Sequence, residues 1–172
     1  VLYVHGFADY FFQKEMAEQF NQHGYDFYAL DLRKYGRSKL PHQTLYYVRD
    51  LREYDAEISK SLEIISQENH NQVLLAGHST GGLITTLYAA HYPDHRLVKA
   101  LWANSPFYDF FKSIIEKKVG IPLLSEFGKR FPNAKFPSGL NPWYVPSLHK
   151  KFHGEWEFNL EWKPESMPFV QL

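Results

Sequence analysis

The chain has 172 residues, 44% of them hydrophobic and 17% aromatic, which is enough for one soluble globular domain with a real core. Nineteen basic residues balance nineteen acidic ones, so charge gives no reason to expect a nucleic acid or an anionic membrane as a partner. The absence of cysteine excludes disulfides, thiol catalysis and cysteine metal sites, and no apolar stretch approaches the roughly 20 residues of a membrane-spanning helix.

A short apolar strand at residues 1–4 runs into the turn sequence HGFA at residues 5–8. A helical pattern follows, carried by Met16, Ala17 and Phe20 and closed by Gly24. A turn of this kind can present free backbone N–H groups. We interpret His5 as a structural residue that braces the turn by hydrogen bonding, in preference to a proton-transfer role.

Another apolar strand, residues 27–30, leads into a polar, glycine-containing loop at residues 31–38. Open α/β sheets place their ligand sites in loops that leave the carboxyl ends of strands. Asp31 and Arg33 are therefore candidates for catalysis, but we favour their use in an ion pair that locks the loop.

A long helix is predicted next, from residues at near-helical spacing: Val48, Leu51, Asp55, Ile58, Leu62 and Ile65. Asp55 interrupts this otherwise apolar stripe, and the sequence does not identify its partner.

Residues 77–82, GHSTGG, directly follow an apolar run at residues 73–76 and have the pattern of a nucleophile elbow. Glycines two positions before and after Ser79 let the backbone turn sharply, so that a strained serine projects its hydroxyl above the sheet edge. A helical pattern follows at once. In acyl transfer, one oxyanion donor is the amide after the nucleophile and another comes from a loop such as residues 5–8, which indicates Thr80 and Phe7. The alternative is a glycine-rich turn between a buried strand and a helix.

Strands alternate with helices across residues 1–106, and the last of these strands spans residues 98–103. This alternation predicts an α/β fold with a parallel sheet covered by helices on both faces.

The order of the His-Gly loop, the Asp-x-Arg-x-x-Gly-x-Ser loop and the Gly-x-Ser-x-Gly elbow resembles the α/β-hydrolase superfamily. The similarity is greatest to its serine aminopeptidase and monoacylglycerol-lipase-like branch, and about 105 residues carry it. The resemblance implies the third to sixth strands of the full fold, in the spatial order 4-3-5-6. It also implies a serine hydrolase that works through an acyl-enzyme, with Ser79 as nucleophile and the Phe7 and Thr80 amides as oxyanion donors.

A serine nucleophile needs a base and an orienting acid, and in this fold the order is serine, then acid, then histidine. None of the histidines after Ser79 follows a recognisable later strand: His91, His95, His149 and His153. Asp109 is a conceivable acid, with a loop or helix N-terminal role as the alternative. We therefore expect both groups beyond Leu172. The chain also opens inside a strand without an initiator Met, so we expect an incomplete enzyme.

Residues 107–172 differ from the rest and are interpreted as a cap or lid beside a partial hydrolase core at residues 1–106. An aromatic helical stretch is predicted first, followed by scattered prolines and tryptophans and no strand-helix-strand unit. This stretch comprises Phe107, Tyr108, Phe110, Phe111, Ile114 and Ile115. His149 and His153 are spaced like a metal pair but lack a third ligand pattern, so no metal and no cofactor are expected.

Three functions remain open. Hydrolysis of carboxylic esters, including lipid, acylglycerol or lysophospholipid esters, leads because an aromatic cap favours apolar acyl groups. Aminopeptidase-like peptide hydrolysis is the enzymatic alternative, and a catalytically dead binding protein on the same scaffold is the third. We expect a small-molecule ester substrate and a cytoplasmic protein; the sequence specifies no oligomeric state.

Overall fold

The computed structural model describes residues 1–109, 112–131, 134–137, 141–163 and 169–171. By its backbone contacts the chain divides into two compact units, Val1–Tyr108 and Asp109–Leu172. The assignment of these units as core and cap stays a prediction.

The first unit alternates strands and helices, as the sequence predicts. Its elements are β1 (Leu2–Val4), α1 (Lys14–Gln22), β2 (Tyr28–Leu30), α2 (Asp55–Gln67), β3 (Val73–His78), α3 (Thr80–His91) and β4 (Val98–Asn104), with 3-10 turns at Gly36–Ser38 and Leu51–Tyr54.

The four strands form one parallel sheet in the order β2-β1-β3-β4, which confirms the predicted order and fold class. Leu2 of β1 pairs with Tyr28 on one side and with Leu75 on the other. Parallel strands in the middle of a sheet are buried on both faces, and β1 is buried at every residue. The carboxyl ends of β1 and β3 therefore lie side by side, which brings the His-Gly loop next to the elbow.

One face of the sheet is filled largely by aromatic side chains. Val1, Tyr3 and Ala76 form a buried cluster, against which pack the following partly buried side chains: Phe11, Met16, Phe20, Phe27 and Leu74. The Tyr3 ring lies 5.8 Å from that of Phe11 and 6.1 Å from that of Phe27, distances at which aromatic pairs attract each other. The apolar side of α1 thus covers this face.

The predicted long helix begins later than expected. Val48 precedes it, and a 3-10 turn at Leu51–Tyr54 leads into α2 at Asp55. Asp50 accepts a hydrogen bond from the Arg52 amide while Glu53 reaches back to the Asp50 amide, so a capping box starts the helical segment at this point.

Asp55 has its partner on the neighbouring helix, which periodicity could not identify. Its Oδ2 lies 2.8 Å from Nδ1 of His91 at the end of α3. The hydroxyls of Ser59 and Tyr88 are hydrogen-bonded at 2.9 Å between the same two helices. The polar interruption in the α2 stripe therefore joins α2 to α3.

The second unit contains α4 (Ile121–Arg130), preceded by a π-helical turn at Glu116–Gly120, and α5 (Tyr144–Leu148), followed by a 3-10 turn at Lys150–Phe152. Two short strands, β5 (Lys135–Pro137) and β6 (Phe169–Gln171), pair antiparallel. The sequence did not indicate these strands, because three-residue strands, one of them containing proline, are too short to show a period of two.

The predicted aromatic helix also starts late, at residue 114. The Phe107 amide donates to the Ser79 carbonyl, and the Tyr108 hydroxyl is hydrogen-bonded to that of Thr86. Both residues are thus held in the first unit in non-helical backbone, while Phe110 and Phe111 lie outside the described residues. Within the described ranges, no helix has the length and apolar character needed to cross a membrane, and no group of three His, Asp or Glu residues could hold a metal ion.

Candidate functional site

Ser79 occupies the junction between β3 and α3 with a φ of 53° and a ψ of −120°. Non-glycine residues rarely adopt such a backbone, which costs roughly 1–3 kcal/mol and persists only where the surroundings enforce it. Its N–H donates to the Asn104 carbonyl at 3.0 Å, and its carbonyl accepts from Gly82 and Phe107 at 3.0 and 2.9 Å. Backbone hydrogen bonds to the carboxyl end of β4, to Phe107 just beyond it and to the start of α3 therefore hold the serine in this strained turn.

The glycines on either side of the serine are required by close backbone contacts. A Cβ at Gly77 would lie 2.4 Å from the Gly81 carbonyl oxygen. A Cβ at Gly81 would lie 2.3 Å and 2.4 Å from the Val4 and His5 carbonyl oxygens. Because no side chain fits at these distances, the elbow packs directly on the backbone that leaves β1.

The turn after β1 lies against the serine. A Cβ at Gly6 would be 3.1 Å from the Ser79 Cβ. Within residues 1–108, all of which the structure describes, the backbone N–H groups of Phe7 and Thr80 donate no hydrogen bond, and the Ser79 hydroxyl makes none either. All three residues are half-buried. This part of the structure therefore combines a strained serine with two unpaired amide donors, and their catalytic roles stay predictions.

His5 braces the turn, as the sequence analysis predicts. It is fully buried, and its Nε2 accepts a hydrogen bond from the Leu32 amide at 3.0 Å. Its Nδ1 lies 2.8 Å from the Gly6 carbonyl oxygen. Since an amide can only donate and a carbonyl can only accept, the ring carries its proton on Nδ1 and is neutral.

Asp31 and Arg33 lock their loop, but in two separate ion pairs. Asp31 pairs with Arg37 at 2.6 Å and also accepts from the Phe11 amide at 2.9 Å, while Arg37 donates to the Phe11 carbonyl at 2.9 Å. Arg33 pairs instead with Glu57 of α2 at 2.6 Å. The first pair ties the loop after β2 to the loop after β1, and the second ties it to α2.

A group of tyrosines packs around His5 and Phe7, a feature that sequence periodicity did not reveal. The Tyr35 ring lies 4.9 Å from His5 and 4.7 Å from Tyr46, and the Phe7 ring lies 5.4 Å from Tyr46. Burial raises the pKa of Tyr35 far above its usual range and the pKa values of Tyr46 and Tyr54 to about 12. These phenols therefore stay neutral near pH 7 and cannot act as bases there.

No histidine of the first unit, residues 1–108, hydrogen-bonds to the Ser79 hydroxyl. His78 contacts the Asn104 carbonyl, His91 pairs with Asp55, and His95 accepts from the Leu97 amide. Each ring is engaged in local structure at the end of a strand or helix.

The second unit uses its candidate groups locally as well. His149 donates from Nε2 to the Phe158 carbonyl and accepts at Nδ1 from the Lys151 amide, while His153 ends a 3-10 turn in the left-handed conformation. Asp109 forms an ion pair with Lys117. Both interpretations of Asp109, as a catalytic acid and as a loop or helix N-terminal residue, stay predictions.

The strain at Ser79 leads to a stability prediction. We expect Ser79→Gly to raise the free energy of unfolding by about 1 kcal/mol relative to Ser79→Ala, because glycine adopts positive φ without a Cβ penalty. Urea unfolding of the two variants measures this difference. Equal or lower stability of Ser79→Gly would contradict the strained geometry.

Comparison with known proteins gives a consistent set of relatives. The family described as "Serine aminopeptidase, S33" matches residues 1–152. The chain is 30% identical over 139 residues to epoxide hydrolase 4 of Mus musculus, covering 80% of this chain and 36% of the mouse protein. It is 32% identical over 117 residues to the probable lysophospholipase L2 of Haemophilus influenzae, covering 67% of this chain and 37% of that protein.

Among solved structures, the monoacylglycerol lipase of Paleococcus ferrophilus matches with a TM-score of 0.67 at 22% identity, covering 99% of this chain and 60% of the lipase. A soluble variant of monoglyceride lipase from Saccharomyces cerevisiae matches with the same TM-score at 18% identity, covering 99% of this chain and 55% of that one. These structures support the fold. The chain spans little more than a third of the length of the curated relatives it matches.

Proposed function

Because this chain belongs to the serine aminopeptidase family of α/β-hydrolases, we propose that the protein is a serine hydrolase that cleaves carboxylic esters through an acyl-enzyme. One observation carries the proposal: a strained serine precedes the Thr80 amide and lies against the turn that carries the Phe7 amide, and both amides are unpaired within residues 1–108. Unpaired N–H donors beside a serine are available to a ligand, and developing negative charge is what such donors stabilise.

The proposed reaction has two steps. The Ser79 oxygen attacks the ester carbonyl carbon while a base takes its proton, and the carbonyl oxygen becomes an oxyanion held by the Phe7 and Thr80 amides. The C–O bond to the alcohol then breaks, and the base returns the proton to the departing alcohol. Water repeats the sequence on the acyl-enzyme and releases the carboxylic acid.

We propose that neither Asp109 nor the histidines described above supply the acid and the base. The proposal is supported by the local partners of His5, His91, His149 and Asp109. A base must lie within hydrogen-bond reach of the proton it takes, and no histidine of the first unit meets this condition. Residues 107–172 are proposed as the cap over the acyl group.

The lipase and lysophospholipase relatives favour apolar esters as substrates. Many apolar side chains of the second unit are exposed and could contact an acyl chain, among them Ile114, Ile115, Leu123, Phe127 and Trp143.

We expect the full-length protein to cleave short to medium acyl esters at least about tenfold faster than aminoacyl anilides, a barrier difference of about 1.4 kcal/mol. The measurement is kcat/KM for matched nitrophenyl esters and aminoacyl nitroanilides, with an aryl epoxide as a third substrate because the mouse relative is named an epoxide hydrolase.

Faster cleavage of the anilide would favour the aminopeptidase alternative, which the family description supports. Faster opening of the epoxide would also contradict ester hydrolysis. No turnover of any substrate, together with no covalent labelling of Ser79, would favour a binding protein on the same scaffold.

A further inference from the structure

We propose that His5 is a positioning residue of the oxyanion site, because its hydrogen bond to the Gly6 carbonyl sets the direction of the Phe7 N–H. This inference rests on the proposed function, in which the Phe7 amide is one of two oxyanion donors. It extends that function to a buried histidine that touches neither substrate nor nucleophile.

The first step of the argument is peptide geometry. The Gly6 carbonyl and the Phe7 N–H belong to one planar trans peptide unit, so the two bonds point in nearly opposite directions. Nδ1 of His5 holds the carbonyl oxygen at 2.8 Å. The Phe7 N–H therefore points away from the imidazole, and rotating the peptide plane would break the His5 hydrogen bond.

The second step is that the imidazole is itself held in place by its own contacts. Its Nε2 accepts from the Leu32 amide at 3.0 Å, and its ring lies 4.9 Å from that of Tyr35. His5 is fully buried, so water cannot replace either hydrogen bond, and an unmade buried bond costs about 1–3 kcal/mol. The loop after β2 thus anchors the group that orients the peptide.

The third step is the closeness of this peptide to the nucleophile candidate. A Cβ at Gly6 would be 3.1 Å from the Ser79 Cβ, and Gly81 packs on the carbonyls of Val4 and His5. The Phe7 N–H is unpaired within residues 1–108. An oxyanion donor must lie about 2.7–3.1 Å from the oxyanion. A modest rotation of this peptide therefore weakens the hydrogen bond from the Phe7 N–H to the oxyanion and lowers kcat.

Two isosteric substitutions separate the two hydrogen bonds of His5. The asparagine amide nitrogen reaches the position of Nδ1, so His5→Asn keeps the donor to Gly6 and loses the acceptor for Leu32. The glutamine oxygen reaches the position of Nε2, so His5→Gln keeps the acceptor and loses the donor. Each variant gives up one buried hydrogen bond, so their melting temperatures are expected to be similar.

In the full-length protein we expect His5→Gln to lower kcat at least about tenfold with little change in KM, since removing a whole oxyanion donor costs about 10²–10³ in kcat. We expect His5→Asn to lower kcat less than His5→Gln does, because it keeps the donor to the Gly6 carbonyl and loses only the anchor to Leu32. Equal kcat values in the two variants would overturn the proposal.

Two spectroscopic readouts do not depend on turnover. The ¹³C shift of the Gly6 carbonyl and the ¹⁵N shift of the Phe7 amide are expected to move further from wild type in His5→Gln than in His5→Asn. In the wild-type protein, the ring ¹⁵N shifts of His5 are expected to report the Nδ1-protonated tautomer. An Nε2-protonated ring would overturn the inference even if neither variant folded.

The outcomes also separate this inference from the proposed function. A wild-type protein that neither turns over esters nor is labelled at Ser79 contradicts the function. A labelled, active wild-type protein whose two His5 variants behave alike contradicts only the positioning role.

Discussion

Replacing Ser79 by alanine is expected to abolish ester turnover and covalent labelling by a fluorophosphonate in the full-length protein. Loss of a catalytic serine lowers kcat by a factor on the order of 10⁶, because the oxyanion donors and substrate binding alone supply only a small part of the rate. The fold should persist, since the backbone of the turn is held by hydrogen bonds to Asn104, Gly82 and Phe107 that the side chain does not make.

Ser105 offers a matched control. It also follows a strand of the same sheet and also has a positive φ, 45°, but it lacks the flanking glycines of the elbow. Ser105→Ala should leave labelling intact, as measured by mass spectrometry of the modified peptide and by steady-state kinetics. Labelling that persists in Ser79→Ala would reject Ser79 as the nucleophile.

Replacing Gly81 by alanine is expected to lower the free energy of unfolding by about 3 kcal/mol or more, the upper range for overpacking. The added Cβ would meet the carbonyl oxygens of Val4 and His5 at 2.3 and 2.4 Å, and backbone atoms of two packed elements cannot move aside separately. Urea unfolding measures the stability. Activity should fall as well, because the elbow must move away from the turn that carries Phe7.

Gly120→Ala is the control for this substitution. Gly120 has a φ of −63° at the start of α4, and an added Cβ would meet nothing within 4 Å. Alanine there should leave stability unchanged or raise it by about 0.5–1 kcal/mol, as expected for a helical position. Similar stabilities of the Gly81→Ala and Gly120→Ala proteins would contradict the close packing of the elbow on β1.

Several features of the fold could be predicted because they depend on short stretches of sequence. The apolar run at residues 73–76 followed by GHSTGG predicts the strand, the turn and the helix that the structure contains as β3 and α3. Alternating strands and helices are compatible with only a few sheet topologies. Among these, the resemblance to α/β-hydrolases predicted the strand order that the structure shows.

Other features were mispredicted because local hydrogen bonds outweighed periodicity. The apolar spacing extended the second helix back to Val48, but the capping box of Asp50 and Glu53 starts the helical turn later. Phe107 matched a helical pattern, yet its amide donates to the Ser79 carbonyl and its backbone is not helical.

By itself, the sequence determined the α/β class and the position of Ser79 in the elbow, because both follow from residue types at fixed spacing along the chain, while the strand order came from the resemblance to α/β-hydrolases. Only the tertiary structure decided which groups meet: Asp55 with His91, Asp31 with Arg37, and His5 with Leu32. These partners lie 6 to 36 positions apart, and the side chains that meet depend on the register and packing of whole elements. For the same reason, only the structure reveals that the turn after β1 lies against Ser79 and that the Phe7 and Thr80 amides are unpaired within residues 1–108.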